Sequence, residues 1–345
     1  MEKLNHILKT ALNCRASDLH LSVGLPPILR IDGELRKENE PALTSEELIE
    51  FGKSITNEEL WNTFKVKKEI DFSFCNEQGR RFRVNIFYQS ENVSIAIRPI
   101  SENIPSLNEL KLPEVLTKIV NAPHGLILVT GPTGSGKSTT LASMVDYINE
   151  TQRKHIITLE DPIEYIHSHK NSVIQQREVG RDTDSFANGL RASLRQDPDI
   201  ILVGELRDLE TISTAITAAE TGHLVLATLH TSSAVATVER IVDVFPADQQ
   251  AKIRLQFANV FVGAVSQRLF PRLDAMGRVV ATEILLNNPA VANLIRSDKL
   301  HQIPSIMQTS KEQGMHTFQS SLMEFVKKGI LSMNTVAPYV EERVM

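Results

Sequence analysis

Hydrophobic residues at the start of the chain recur at helical spacing. One face of a helix would carry Leu4, Ile7, Leu8, Ala11 and Leu12. This spacing predicts an amphipathic helix that lies against a core. Polar and apolar residues then alternate over Asp18–Ser22, which is typical of a strand with one buried face.

Short alternating runs follow this first strand. Ile28–Ile31 and Glu34–Lys37 flank Asp32-Gly33, and Asp-Gly between such runs favours a two-residue β-hairpin. Capping-box patterns at Thr44–Glu47 and Thr56–Glu59 predict the starts of two helices.

Strand-like runs also cover Ile70–Phe74, Arg81–Tyr88 and Val93–Pro99. Residues 1–100 are therefore predicted to form a small α+β domain. Residues 101–113 hold two prolines and little periodicity. Because proline biases the backbone toward extended conformations, we interpret this stretch as a linker.

Over residues 114–345 the pattern changes to apolar strands separated by helical stretches. The strand candidates are short and apolar on both faces: Leu126–Thr130, His155–Leu159, Ile200–Val203, Leu224–Leu229 and Val279–Leu285. Such strands indicate a mostly parallel sheet covered by helices. The predicted fold is thus α/β, with a small N-terminal domain ahead of a larger one.

Gly131–Ser138 fits the pattern G-x-x-x-x-G-K-[ST], between an apolar strand and a helix start. This context predicts a P-loop, whose backbone N–H groups and helix N-terminus cradle a phosphate. Lys137 is expected to reach the β- and γ-phosphates, and Ser138 to ligate magnesium. The nucleotide-binding candidates are Gly131, Pro132, Thr133, Gly134, Ser135, Gly136, Lys137, Ser138 and Thr139.

Acidic residues follow two of the predicted strands. Glu160, Asp161 and Glu164 come after His155–Leu159. Because ligands of open α/β sheets lie beyond the carboxyl ends of strands, these carboxylates are candidates to orient water or hold magnesium. The alternative is a solvated acidic turn.

Ile200–Val203 resembles a Walker B strand, with Gly204 where the first acid is usual, so that Glu205 stands alone. Glu205 is a candidate for the magnesium shell or for polarising water. The alternative is an acidic strand end without a metal.

Two histidines, His223 and His230, bracket the strand Leu224–Leu229. His230 follows the carboxyl end and is placed to sense a γ-phosphate. His223 lies at the opposite end and is a candidate for an interface. The alternative for each histidine is a structural residue with its hydrogen bonds satisfied.

Arginines form two groups along the chain: Arg80, Arg81, Arg83 and Arg98, then Arg191, Arg195 and Arg207. Each is either a solvated surface residue or, in a ring, a group that reaches the nucleotide of a neighbouring subunit.

Composition narrows the classes of function. The net charge of -5 gives no electrostatic footprint of general nucleic-acid binding. Cys14 and Cys75 are far apart, which favours a reducing cytoplasm over a zinc site or disulfides. No apolar run approaches the roughly 18 residues of a membrane span, and the N-terminus lacks a signal-peptide core. Any membrane role is therefore expected to come through a partner.

Together these segments resemble the PilT family of type IV pilus retraction ATPases, within the secretion ATPase superfamily. The matching segments are Gly131–Ser138, an acidic box at Ile157–Tyr165, Leu194–Asp208, a histidine box at Thr221–Thr231, Asp18–Leu21, Arg81–Asn85 and Gly314–Phe318. The resemblance covers nearly the whole chain.

The resemblance implies a PAS-like N-terminal domain and a RecA-like ATPase domain in a homo-hexameric ring that uses ATP and Mg²⁺. By the same resemblance, Glu164 activates water, Glu205 associates with magnesium, and Glu160 and Asp161 support them. The expected phosphate-approaching arginines are Arg81, Arg83 and Arg98. The residues expected to couple nucleotide state to geometry are His223 and His230.

The implied function is a motor that retracts a type IV pilus and so drives twitching motility. The protein is expected to be cytoplasmic, at the inner face of the cell membrane on a platform protein, without direct nucleic-acid contact. The chain lacks the four-cysteine zinc segment of assembly ATPases. The retraction motif Ala-Ile-Arg-Asn-Leu-Ile-Arg-Glu corresponds to Ala290–Ser297, from which Ala292 and Ser297 depart.

Four alternatives remain open at this point. They are an accessory PilU-type retraction ATPase, an assembly or secretion ATPase, a RecA-like nucleic-acid translocase, and a non-catalytic nucleotide-binding scaffold.

Overall fold

A computed structural model describes residues 2–14, 16–31, 33–100, 103–275 and 277–341 of the chain. The chain divides into two compact units. The first comprises the described residues of Met1–Glu102 together with Pro162–Ile166. The second comprises those of Asn103–Asp161 and His167–Met345.

The first unit is built on a six-stranded antiparallel sheet with strand order β3-β2-β1-β6-β5-β4. Its strands are β1 (Asp18–Leu21), β2 (Ile28–Ile31), β3 (Glu34–Lys37), β4 (Glu69–Cys75), β5 (Arg81–Gln89) and β6 (Asn92–Pro99). Its helices are α1 (Glu2–Asn13), α2 (Ser45–Ile55) and α3 (Glu58–Lys67). One core cluster unites the three helices with the apolar side of the sheet.

Most of the local predictions for this unit are confirmed. The predicted amphipathic helix is α1, which buries Leu4, Ile7, Leu8 and Ala11. The predicted hairpin joins β2 to β3, with Ile31 opposite Glu34. Asp32 of the hairpin turn lies outside the described residues.

One of the two capping boxes is confirmed and the other is wrong. Thr44 caps α2 with a reciprocal capping box through Glu47. The cap of α3 is Asn57, which accepts a hydrogen bond from the Leu60 N–H. Thr56 instead ends α2, and its hydroxyl donates to the Gly52 carbonyl. A carboxamide one residue later therefore takes the capping position.

The second unit contains a seven-stranded sheet with strand order β13-β12-β7-β11-β10-β8-β9. Its strands are β7 (Gly125–Thr130), β8 (His155–Glu160), β9 (Val173–Glu178), β10 (Ile200–Val203), β11 (Leu224–Leu229), β12 (Phe261–Pro271) and β13 (Arg278–Leu286). All neighbouring pairs from β12 to β9 are parallel, and β13 runs antiparallel to β12. The predicted α/β fold class with a mostly parallel sheet is confirmed.

Helices cover both faces of this sheet, and two apolar clusters fill the space between them. The helices are α4 (Val115–Ile119), α5 (Lys137–Thr151), α6 (Phe186–Ser193), α7 (Leu209–Glu220), α8 (Ala234–Asp243), α9 (Ala247–Val260), α10 (Pro289–Arg296), α11 (Ile303–Thr309), α12 (Phe318–Lys327) and α13 (Met333–Glu341). Among the described helices, none is long and apolar enough to cross a membrane.

Two strands of the sheet, β9 and β12, were not predicted. β9 reads Val-Ile-Gln-Gln-Arg-Glu and lies at the sheet edge, so its polar side chains do not need burial. β12 follows α9 with no intervening loop, and its start continues the apolar pattern of the helix.

Candidate functional site

The glycines of the P-loop occupy backbone positions that other residues cannot adopt without strain. Gly131 follows β7 with φ of 144°, and a Cβ there would lie 2.3 Å from the Gln267 carbonyl oxygen. Gly136 has φ of 89° and caps α5. Glycine alone tolerates such dihedrals without cost. The loop is thereby set at the helix N-terminus, where backbone N–H groups favour an anion.

Gln267 of β12 braces the loop from outside the motif. Its Nε2 donates to the Ser135 carbonyl at 2.8 Å, and its Oε1 accepts from Thr140 Oγ1 at 3.0 Å. Gln267 is buried. The sequence analysis missed it, because nothing in the local pattern of β12 marks a residue that contacts the loop.

Lys137 is the cation of the loop. Its Nζ donates to the carbonyl oxygens of Gly131 at 2.9 Å and Pro132 at 3.1 Å. Burial lowers the pKa of Lys137, and the negative charge of Glu205 opposes that effect. Within the described residues, the buried Ser135 Oγ has no hydrogen-bond partner. A narrow glycine cradle, an ammonium and an unused hydroxyl fit a phosphate group.

Glu205 lies beyond the carboxyl end of β10, at the same edge of the sheet as the P-loop. Its carboxylate is 2.7 Å from Arg207 Nη2 and 3.4 Å from His230 Nε2. Burial raises the pKa of Glu205, but hydrogen bonds and charges from Arg207 and His230 outweigh it and lower the pKa. The carboxylate is therefore ionised and oriented, as a magnesium or water contact requires.

Close packing explains the glycine that precedes this acid. The Gly204 N–H donates to the Leu159 carbonyl at 2.7 Å, and a Cβ on Gly204 would lie 3.1 Å from that carbonyl oxygen. A carboxylate side chain at position 204 would press on the end of β8. Glu205 is left as the acid of this strand.

Glu160 ends β8 and is held by hydrogen bonds. Its Oε1 accepts from Thr158 Oγ1 at 2.6 Å and from Gln176 Nε2 at 3.1 Å. The Glu205 hydrogen bond, followed by the charges of Glu205 and Asp161, raises the pKa of Arg207. The structure therefore brings Glu160, Asp161 and Glu205 to one edge of the sheet.

The third predicted acid of this box, Glu164, belongs to the first unit. Its Oε1 is 3.8 Å from Arg83 Nη1, and Arg83 Nε is also 3.8 Å from Asp71. Arg98 lies opposite Arg83 on β6 and binds Asp18 at 2.7 Å. Arg81 is two residues before Arg83 on β5 and shares its face of the sheet. Glu164 and these three arginines thus belong to one unit.

His223 lies away from the P-loop edge. It precedes β11, where Leu224 pairs with Gly125 at the start of β7 and Leu229 pairs with Thr130 at its end. The His223 Nδ1 is 2.9 Å from the Ala218 carbonyl oxygen. His223 therefore occupies the amino end of the sheet, whereas His230 lies at the carboxyl end beside Glu205.

Arg191 and Ser138, two further residues singled out from the sequence, lie at the surface. Arg191 pairs with Glu210 on the surface. Ser138 is exposed in the first turn of α5, one residue after Lys137.

A cavity of about 290 Å³ borders the P-loop. Its walls are the loop residues Pro132, Thr133, Gly134 and Ser135, the β12 residues Arg268, Leu269, Phe270 and Pro271, and Thr335 and Tyr339 of α13. The Arg268 guanidinium lies 4.9 Å from the centre of the Tyr339 ring. The sequence analysis missed this cavity, which offers a flat aromatic and cationic wall next to the phosphate cradle.

The sheet, the glycine loop at its carboxyl edge and the acid beyond β10, two strands away from β7, define the fold of a RecA-like P-loop nucleoside triphosphatase. Residues 1–338 match the type II/IV secretion system protein family. The chain is 49% identical to the type IV pilus retraction ATPase PilT of Pseudomonas aeruginosa, covering 92% of each chain. It is 41% identical to the type IV pilus ATPase PilU of the same organism, covering 94% of this chain and 85% of PilU.

A solved structure of the pilus retraction motor PilT with bound ADP is similar, with a TM-score of 0.91 at 47% identity. The similarity covers 96% of this chain and 95% of that chain. The chain belongs to the type II/IV secretion system protein family and, within it, to the PilT family of ATPases.

Proposed function

We propose that this chain is the subunit of a homo-hexameric, ATP-hydrolysing motor that retracts a type IV pilus. The observation that carries the proposal is the braced P-loop with Glu205 at the same sheet edge, in a chain similar to a retraction motor over nearly its whole length. The greater identity to PilT than to PilU favours the principal retraction motor over the accessory one.

ATP is the nucleotide that the site suits. The loop backbone and Lys137 provide donors for the β- and γ-phosphates, and Lys137 would exchange its carbonyl contacts for phosphate oxygens. The cavity beside the loop, with Arg268 and Tyr339, is suited to the base and ribose. The similar PilT structure contains ADP, which supports this assignment.

Magnesium, when bound, neutralises charge on the phosphates. Ser138 and Glu205 are the residues that would hold it, because magnesium in such sites takes only one or two protein ligands besides phosphates and water. Glu205 is suited to this part because Arg207 and His230 keep its carboxylate ionised.

The attacking water needs a carboxylate that orients it and accepts its proton. We assign that role to Glu164, with Glu160 and Asp161 in support. Glu164 lies on a short segment that belongs to the first unit. Arg81, Arg83 and Arg98 belong to the same unit and would stabilise transition-state charge.

Such an arrangement couples chemistry to movement. The proposed base and arginines belong to one unit and the phosphate cradle to the other, so we propose that hydrolysis is coupled to movement of the units. We propose that successive closures around the ring displace an inner-membrane platform protein, with the motor in the cytoplasm. His230 would transmit the phosphate state through Glu205, and His223 would act at an interface.

The Lys137→Ala substitution tests the site assignment. We expect the purified variant to keep its fold and to lose steady-state ATP turnover, because the cation at the phosphates is gone. The measurement is phosphate release, with circular dichroism as the control for folding. Near-normal turnover by the variant would move the active site elsewhere.

Deletion of the gene tests the biological role. A retraction motor should leave cells with excess pili and without twitching motility, whereas loss of an assembly motor should leave them without pili. Stimulation of the ATPase by single-stranded DNA with steep salt dependence would instead support a nucleic-acid translocase.

A further inference from the structure

Helix α5 begins at Lys137 in the P-loop and ends at Thr151. Its N-terminus is therefore the end of the helix at which a phosphate would bind. The chain passes between the two units after residue 102, after residue 161 and after residue 166. Two of these connecting segments are attached to α5. In both cases the attached residues belong to the second unit, as the helix does.

The first connection enters the second unit at Asn103. Ser143 of α5 is buried, and its Oγ lies 2.6 Å from the carbonyl oxygen of Pro105. Leu107 and Leu112 of the same connection join the apolar cluster of α5. The start of this connection is thus fastened to the middle of the helix.

The second connection is residues 168–171, which we call the return strap. It follows the crossing at residue 166, two residues after Glu164. Asn149 of α5 has no exposed surface. Its Nδ2 donates to the Ser168 carbonyl at 2.8 Å, and its Oδ1 accepts from the Lys170 N–H at 3.0 Å. One buried carboxamide therefore satisfies a donor and an acceptor of the strap.

Charged groups strengthen the same attachment at the surface. Lys170 Nζ binds Asp146 at 2.8 Å and Glu150 at 2.7 Å. The Asn171 N–H donates to the Asn149 carbonyl at 2.9 Å. The strap is therefore held along about one turn of α5, from Asp146 to Glu150.

We propose that α5 is the element through which the phosphate site moves the first unit, with Ser143 and Asn149 as its positioning residues. A helix moves as a rigid body, so a shift at Lys137 displaces Ser143 and Asn149 by a similar amount. Because both connections are fastened there, the shift reaches the segment that carries Glu164. This inference rests on the proposed ATPase function. It identifies α5 as the path by which a shift at the phosphate site reaches the first unit.

The test uses two variants of the full-length ring and one control. Asn149→Ala removes both side-chain bonds to the strap. The double variant Lys170→Met with Ser143→Ala removes the ion pairs of Lys170 with Asp146 and Glu150 and the contact of Ser143 with Pro105. It provides the test if Asn149→Ala does not fold. The control is Asn287→Ala, because Asn287 also donates to a backbone carbonyl, that of Ala258, but on neither connection.

Spin labels report the distance between units within one subunit. Cys75 is exposed in the first unit, and Lys299→Cys adds an exposed site in the second, with Cys14→Ser removing the other thiol. Labelled subunits are diluted into unlabelled rings. We expect a non-hydrolysable ATP analogue to shift the distance in the unsubstituted protein and in Asn287→Ala, and to leave it unshifted in the two connection variants.

Kinetics supply a readout that a loss of stability does not produce. The connection variants should lose about a hundredfold in kcat, the scale of a misplaced catalytic group, while KM for ATP stays within about twofold because the phosphate cradle is untouched. A nucleotide-dependent distance shift equal to that of the unsubstituted protein would overturn the inference. Absence of turnover in the unsubstituted ring would instead overturn the proposed function.

Discussion

Gln267 is the residue on which the shape of the phosphate loop depends most directly outside the motif. Its carboxamide holds both the Ser135 carbonyl and the Thr140 hydroxyl, and its own carbonyl oxygen occupies the space beside Gly131. The loop is therefore pre-organised by β12 rather than by its glycines alone.

The two candidate acids are separated by isosteric substitutions. Glu164→Gln removes the proposed base with little change of shape, so ATP binding should persist while turnover falls by about a hundredfold or more. Glu205→Gln should slow turnover and also raise the magnesium concentration needed for half-maximal activity, because a candidate ligand is lost. The measurement is phosphate release against magnesium concentration. Unchanged turnover in Glu164→Gln would transfer the base role to Glu160 or Glu205.

His167, just before the return strap, makes stability sensitive to acid. Burial lowers its pKa to about 4; the smaller effect of the Asp146 charge raises the pKa, and that of the Lys170 charge lowers it further. Between that value and the unfolded value of 6.5 the unfolded chain binds more protons, so stability falls as the pH falls through this window. The contribution lost reaches up to about 3 kcal/mol.

The check is chemical denaturation of the protein and of His167→Gln at pH 7 and pH 4.5. The variant should lose less stability than the parent between these values, because its side chain does not titrate. Equal losses would show that carboxylates alone account for the acid sensitivity.

At the scale of elements, helix α10 has one buried face and one exposed face. Val291, Ala292, Leu294 and Ile295 are buried, whereas Asn293 and Arg296 are exposed. The two departures from the retraction motif have structural explanations. Ala292 is a buried small residue, and Ser297 ends the helix with its hydroxyl on the Asn293 carbonyl.

The double variant Asn293→Ala with Arg296→Ala tests whether this surface passes motion to the pilus machinery. Exposed polar changes usually shift stability by less than about 0.5 kcal/mol, and the hydrogen bond from Arg296 to Asn259 that the variant loses is at the surface. We expect an unchanged thermal midpoint, intact rings and most of the ATPase rate, but no pilus retraction in cells. Normal twitching by that strain would leave α10 a purely structural role.

At the scale of the whole molecule, the proposed ring makes each subunit depend on its neighbours. If Arg81, Arg83 and Arg98 act in trans, ATPase activity per subunit should rise with protein concentration as rings form. A subunit with all three changed to Ala should inhibit unsubstituted subunits when the two are mixed, because the nucleotide site of each neighbouring subunit then lacks its arginines.

Arg36→Ala is the matched control, since Arg36 is an exposed arginine on the edge strand β3 of the same sheet. Mixing it with unsubstituted subunits should leave the total rate additive. Additive rates in the triple-variant mixture as well would indicate subunits that work independently.

Local pattern determined much of this protein. Residues 131–138 predicted the P-loop because its glycines, lysine and serine are adjacent in sequence, and the flanking strand and helix are local as well. Period and turn chemistry likewise predicted α1, the β2–β3 hairpin and five strands of the large sheet. These features depend on neighbours within about one turn or one hairpin, so the chain itself carries the information.

Tertiary structure decided which distant residues share the site. It brought Gln267, Arg268 and Tyr339 to the P-loop, placed Glu164 with Arg83 in the first unit and left His223 at the far end of β11. It also fastened residues 168–171 to α5. Such contacts join residues separated by up to about two hundred positions, and they depend on strand order and side-chain packing, which no local periodicity encodes.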